Sequence, residues 1–336
     1  MPDAKSPISS FKALSIDGGG IKGLYSALLL AHLEEEYGCH IADRFDLLSG
    51  TSTGGLIALA LSLKVPAREV ANFYIEKKDL IFPQQGGFRG AWRQIVGPGK
   101  YEQNGLRRAL LDVFGSRKLK DSQTLLCIPT FDLTGDRPWI FKYDHDGLTG
   151  RDNETAYVDV ALATSAAPTY FPVVEIANHD GHRFIDGGVY ANNPSVIALT
   201  EAFTYFVGPD RPYGHLDLLS VPSVEQYHGQ RPNRKNALSA VDWGAALLRP
   251  FMTGQAHITN YSLEQFSKHE LLPVTYYRMR QPSKMSPEHA RHIGLDKADD
   301  ESVRLLTAFG KAEGINQCRD DAVAAFFDTP KTFRTQ

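Results

Sequence analysis

The sequence predicts an α/β fold, a parallel sheet with helices packed on its faces. Two observations carry this. A short apolar run, a glycine-rich turn and an amphipathic stretch follow one another twice in the opening third of the chain, the signature of consecutive parallel strands joined by helical crossovers. The composition, 42% hydrophobic and 22% charged with both signs interspersed over 336 residues, is that of a chain with a sizeable core and not of a disordered one.

Taken in order, Phe11–Ile16 (FKALSI) reads as a strand and Asp17–Gly20 as a glycine-rich turn. Leu24–Tyr37 places apolar residues at helical spacing and stops before Gly38, a C-terminal cap. Phe45–Ser49 (FDLLS) is a second strand, Gly50–Gly55 a second glycine-rich turn, and Leu56–Leu63 opens a second helix. Further strands are expected at Leu125–Phe131, Trp139–Lys142, Arg183–Ile185 and Leu216–Ser220. Residues 82–105, rich in Gly, Pro and Gln, read as a surface loop or a lid over a cleft. Beyond about residue 230 the pattern turns helical (Leu238–Leu248, Glu301–Lys311, Asp320–Phe327), expected to pack on the core. No internal repeat or low-complexity linker divides the chain.

Lys plus Arg total 36 and Asp plus Glu 39, a formal charge of −3, which gives no basic face for nucleic acid. Cys39, Cys127 and Cys318 form neither a disulfide framework nor a metal-ligand spacing, and fit a reducing compartment. The N-terminus lacks the apolar core of a secretory signal. The longest apolar runs, such as Ala27–Ala31 and the Ser62-interrupted Leu56–Leu63, fall far short of the ~20 residues that span a bilayer. The expectation is a soluble cytoplasmic protein, which leaves action at the inner face of the membrane open.

The first turn, Gly18 to Gly23, matches G-x-G-x-x-G between strand and helix, and Asp43 stands about 20 residues on, as a dinucleotide fingerprint asks. The three consecutive glycines, Gly18 to Gly20, suit a second use, because backbone N–H groups free of Cβ at a helix start can face a phosphate or a developing oxyanion. The turn alone does not decide between them. The second turn, Gly50-Thr51-Ser52-Thr53-Gly54, is G-x-S-x-G between a strand and a helix, the setting of a nucleophilic serine on a sharp bend. None of the 11 histidines stands out as its base: His32 lies on the first helix, and His179 and His182 flank the turn Asp180-Gly181. Asp186 is the better candidate, ending an apolar run before Gly187 and Gly188.

Four blocks in order, DGGGIKG at 17–23, GTSTG at 50–54, TSAAPTYFP at 164–172 and DGGVYANNP at 186–194, resemble the patatin-like phospholipases over roughly residues 11–205. The resemblance implies a three-layer α/β/α sandwich with a mainly parallel sheet, a catalytic core at 11–205 and a C-terminal extension, 206–336, packed on it as one unit. It implies a Ser–Asp dyad without histidine: Ser52 as nucleophile, Asp186 as base, and the N–H groups of Gly18, Gly19 and Gly20 as oxyanion hole. Lys22, Gly23, Gly50, Gly54, Gly187 and Gly188 then support these turns. The implied reaction is hydrolysis of fatty-acyl esters of membrane phospholipids through an acyl-enzyme. No metal is required, and the sequence holds no D-x-[DN]-x-[DN]-G calcium loop, so calcium-independent activity is expected. Burial is expected to raise the pKa of Asp186 enough to make it a base.

The resemblance weakens past about residue 205. Leu218–Ser223 (LLSVPS) replaces the glycine-bearing strand end of many relatives, and Val241–Thr253 reads as core packing or as a membrane-docking segment. A cytoplasmic phospholipase must be restrained, and compact bacterial proteins of this kind resemble anti-phage effectors switched on by a cyclic dinucleotide. Such an activator is therefore expected, and a homo-oligomer is compatible with it. The alternatives are a constitutive nonspecific lipid acyl hydrolase and a Ser–His–Asp α/β-hydrolase, the latter requiring one essential histidine.

Overall fold

The computed structural model describes residues 10–82, 103–144, 150–225, 248–282 and 285–333. Eight strands form one sheet: β1 Ser10–Ile16, β2 Leu47–Gly50, β3 Leu125–Asp132, β4 Arg137–Lys142, β5 Val174–Ile176, β6 His182–Asp186, β7 His215–Val221 and β8 Val274–Arg278. Their order is β5-β6-β3-β2-β1-β7-β8, with β4 paired to β3. The pairs β1–β2, β1–β7, β2–β3 and β7–β8 are parallel, while β3–β4, β3–β6 and β5–β6 are antiparallel. The fold is thus the expected mainly parallel α/β architecture.

Alternation along the strands builds two cores, one on each face of the sheet. Leu14 and Ile16 of β1, Leu48 of β2 and Leu126 and Ile128 of β3 pack with α1 (Gly23–Tyr37), α2 (Thr53–Ser62), α3 (Ala67–Ile81), α4 (Gln103–Phe114) and α5 (Tyr157–Thr164). Phe11 and Ala13 of β1, Leu47 and Leu125 face the opposite way. They meet α7 (Ser195–Tyr205, following the one-turn α6, Gly188–Ala191) and α8 (Leu248–Lys268). Two further short helices, α9 (Pro287–His292) and α11 (Asp321–Ala324), flank α10 (Asp300–Gln317), which lies on α1 with Gly310 against Leu28 and Gly314 against His32.

Several local expectations shift. Helix α2 begins at Thr53, three residues before the apolar run that announced it, because the serine turn passes straight into helix. Residues 103–105, read from sequence as loop, open α4; residues 83–102 lie outside the described residues, as do 238–247 of the helix expected at Leu238–Leu248. Beyond residue 205 the chain adds strands as well as helices: β7 pairs with the whole of β1, Ser10 to Ile16 against His215 to Val221, and β8 pairs with β7. No helix among the described residues is long and apolar enough to cross a membrane.

The start of β2 is anchored by Asp46, fully buried, whose carboxylate accepts from the backbone N–H of Lys12 at 2.7 Å, Thr332 at 3.0 Å and Phe333 at 2.7 Å. Three donors on one acceptor hold β1, β2 and the segment after α11 together. Asp46→Ala leaves those N–H groups without an acceptor, so we expect a loss of about 3 kcal/mol in unfolding free energy, read by denaturant titration.

Candidate active site

The carboxyl ends of adjacent parallel strands are where an α/β sheet presents loops to a ligand. Here β1 ends in the glycine loop at Asp17 and β2 ends in the serine turn, side by side. Ser52 has φ 56° and ψ −126°, a conformation an L residue resists, and it is buried to 7% exposure. Two side chains brace this bend. The Ser52 N–H donates to Thr164 Oγ1 at 3.0 Å, and Thr51 Oγ1 donates to Ala191 O at 2.6 Å. Gly54 lets α2 start against the end of β1, since a Cβ there would collide with the Ile16 carbonyl oxygen. Gly50 likewise sits close to Gly54 O.

Asp186 ends β6 at 3% exposure, with its side chain facing Ser52. Its Oδ1 accepts from Gly188 N at 2.7 Å, and Gly187 packs tightly on Pro129 O. Its own N–H donates to Ala166 O at 3.0 Å. The block 164–172 therefore fixes both partners: Thr164 receives the Ser52 N–H and donates its hydroxyl to Pro129 O of β3 at 2.8 Å, while Ala166 receives the Asp186 N–H. Burial drives the Asp186 pKa up to about 7, against the opposing pull of the Gly188 N–H and the Ser52 hydroxyl.

In the glycine loop, Gly18 N donates to Asn192 O at 3.0 Å and Gly19 N to Thr53 Oγ1 at 3.1 Å. Gly20 takes φ +60°, close against Leu295 O, and lines the cavity that contains Ser52 and Asp186. Lys22 Nζ donates to Val224 O at 2.8 Å, and burial lowers its pKa to about 8 against the attraction of Glu225 and Asp17. Gly23 opens α1 close against Thr53 and Tyr74.

The cavity at the serine is about 60 Å³, walled by Leu56, Ile81, Phe82, Leu106, Tyr170 and Phe171, with Leu248 and Met252 from α8. No histidine is among its described lining residues. His179 is engaged with Thr155 Oγ1 at 2.7 Å and His182 with Asp132 Oδ2 at 2.8 Å. Such an arrangement, a hydroxyl on a strained bend, a carboxylate with a raised pKa and backbone N–H groups at a helix start, can run acyl transfer.

Sequence reasoning had not singled out Thr164 or Asn192, although both lie inside quoted blocks, nor Arg278, whose guanidinium donates to both oxygens of Asp17, at 3.2 and 2.5 Å, and to Ser220 Oγ at 2.8 Å. No short motif marks Arg278; only the parallel pairing of β7 and β8 brings it to the glycine loop. Among the described residues no group of three or more metal-ligating side chains occurs.

The raised pKa of Asp186 has a stability consequence. Between the ordinary value of 3.8 and about 7 the folded chain holds a proton that the unfolded chain has released, so stability falls as pH rises through that window. At pH 8 Asp186→Asn removes a buried charge and is expected to raise the melting temperature. The gain should be smaller at pH 5, which calorimetry at the two pH values checks.

The patatin-like phospholipase family model matches residues 14–199. The chain is 30% identical over 351 residues to a cGAMP-activated phospholipase of Vibrio cholerae, covering 98% of each. It is 30% identical to a cGAMP-activated phospholipase of Escherichia coli, over 95% of this chain and 93% of that one. Against patatin-like protein 2 of Oryza sativa the figures are 34%, over 69% and 64%. With a serine and a buried carboxylate facing each other at the strand ends and the family match spanning both, the chain belongs to the patatin-like phospholipases.

Proposed function

We propose that the protein hydrolyses fatty-acyl esters of membrane glycerophospholipids with Ser52 as nucleophile and Asp186 as general base, and that cGAMP or a related cyclic dinucleotide activates it. The observation carrying the catalytic part is the burial of Asp186 opposite Ser52, which supports a carboxylate basic enough to act near neutral pH. Ser52 Oγ attacks the ester carbonyl carbon as its proton passes to Asp186. The carbonyl oxygen becomes an oxyanion facing the glycine loop. Collapse expels the lysolipid alcohol, which takes the proton back from Asp186. Water, deprotonated by Asp186, then attacks the acyl-enzyme; the acyl–Oγ bond breaks, Ser52 Oγ takes the proton back from Asp186 and the fatty acid is freed.

The apolar walls suit an acyl chain. Their volume does not: 60 Å³ lies well below the ~300–1,000 Å³ typical of small-ligand sites. Entry of a lipid chain requires the wall formed by Phe82, Leu106, Phe171 and Met252 to part. Two of the three glycine N–H groups expected to meet the oxyanion are also bonded elsewhere, to Asn192 O and Thr53 Oγ1. Both features suit an enzyme that works only after a signal, as the names of the bacterial relatives describe for those proteins and as the anti-phage reading of the sequence expects.

Fatty-acid release from phospholipid vesicles, with and without cGAMP, tests both parts. Ser52→Ala and Asp186→Asn should each lose about a thousandfold or more in kcat, while His179→Ala and His182→Ala should keep turnover. Undiminished activity in Asp186→Asn would remove it as the base. Because the base must be ionised, kcat/KM should climb with pH and level off above about 7, the direction set by the raised Asp186 pKa. Release that cGAMP does not alter removes the activator reading and leaves the hydrolysis one.

A further inference from the structure

A second cavity, about 610 Å³, shares none of its described lining residues with the cavity at the serine. Its walls include Glu225, His257, Asn260, Arg278 and Gln281, with Met285 on the apolar side. The volume is ten times that at Ser52 and within the range of about 300–1,000 Å³ typical of small-ligand sites. The lining is chemically mixed in a way that suits one ligand class. A carboxylate and two carboxamides match the donor and acceptor edge of a purine base, as Glu, Asn and Gln do wherever bases are read. An imidazole and a guanidinium supply N–H donors for phosphate. These walls also hold each other: Glu225 N donates to Gln281 Oε1 at 3.2 Å, and His257 Nε2 stands 3.7 Å from the Glu225 carboxylate.

The same walls grip the glycine loop at both ends. Arg278 binds Asp17, where the loop begins, and Val224, the neighbour of Glu225, accepts the Lys22 ammonium, where it finishes. Between those two anchors lie Gly18, Gly19 and Gly20. We propose that this cavity, framed by Glu225, His257, Asn260, Arg278 and Gln281, is the cyclic-dinucleotide site, and that its occupancy reaches Ser52 through the Arg278–Asp17 pair. The proposal rests on the activation reading given above. A phosphate on Arg278 competes with Asp17 for the guanidinium. Loosening that pair frees the loop to exchange its bonds to Asn192 O and Thr53 Oγ1 for an oxyanion. Ligand and loop are thereby coupled through one cation that cannot serve both carboxylate and phosphate fully.

Calorimetric titration of cGAMP into the full chain tests the site. His257→Ala/Gln281→Ala is expected to weaken binding about tenfold or more, with its melting temperature at the wild-type value, and Tyr261→Ala, exposed on the same helix, is expected to bind like wild type. Asp17→Asn tests the coupling: it should bind cGAMP within about threefold of wild type while the ratio of vesicle hydrolysis with and without cGAMP collapses toward one. Wild-type affinity in the double variant overturns the site, and stimulation by cGAMP in that same variant shows that activation stands with its site elsewhere. A wild-type stimulation ratio in Asp17→Asn overturns the route. Absence of both binding and stimulation in the wild-type chain overturns this proposal together with the activation reading. Loss of hydrolysis in Ser52→Ala remains the separate measure of the dyad.

Discussion

The left-handed backbone at Ser52 is the constraint around which the site is built. A conformation of this kind costs on the order of 1–3 kcal/mol and persists only where its surroundings impose it. Here the strand before it is locked between β1 and β3, the helix after it is wedged by Gly54 against the end of β1, and Thr164 takes the serine's own N–H. The parallel pairing of β1 and β2 sets the glycine loop beside the turn. Thr164 and Ala166 then tie Asp186 to the same scaffold, so that serine and carboxylate share one support instead of two independent loops.

Two nearly inaccessible carboxylates near the loop show how environment assigns different properties to one residue type. Asp17 has Arg278 across a two-pronged contact, and the pair is held by mutual charge. Asp186 has a backbone N–H and a serine hydroxyl but no cationic group among the influences on its titration. Burial pushes both carboxyls up: at Asp17 the Arg278 cation opposes it, while at Asp186 no cation does and the pKa reaches about 7. Placing an arginine at one aspartate and none at the other separates a structural anchor from a group able to exchange protons.

Much of this was legible in the sequence because it is carried by local spacing. The strands that bear Ser52 and the glycine loop were visible as apolar runs ending in glycine clusters, and Asp186 as the end of such a run. What was not legible depends on distance along the chain. β5 and β8 were missed: Val174–Ile176 is too short to show alternation, and Val274–Arg278 carries Thr, Tyr, Tyr and Arg, whose place in the sheet comes from pairing with β7. The helical start at Thr53 was hidden because glycines at 54 and 55 argue against helix on propensity, while close packing against Ile16 at Gly54 and against Thr164 at Gly55 requires them. The occupied N–H groups of Gly18 and Gly19 are equally beyond pattern reading, since their acceptors lie on other elements.

The position of β7 has a consequence for the order in which the molecule can be assembled. The first strand needs a neighbour made some 200 residues later, spanning Ser10↔His215 to Ile16↔Val221. The Lys12 ammonium finds its acceptors at Phe326 and Thr329, and Asp46 receives Thr332 and Phe333. Contacts this distant in sequence form late and slowly. While the chain is still emerging from a ribosome, the serine turn can exist without the framework that strains it: the sheet is complete only once β8, ending at Arg278, is at hand, and Asp46 gains its last donors only with residue 333. A lipid-cleaving enzyme wired in this way spends its synthesis without a completed scaffold, so ribosome-bound fragments near a membrane are poorly equipped to attack it.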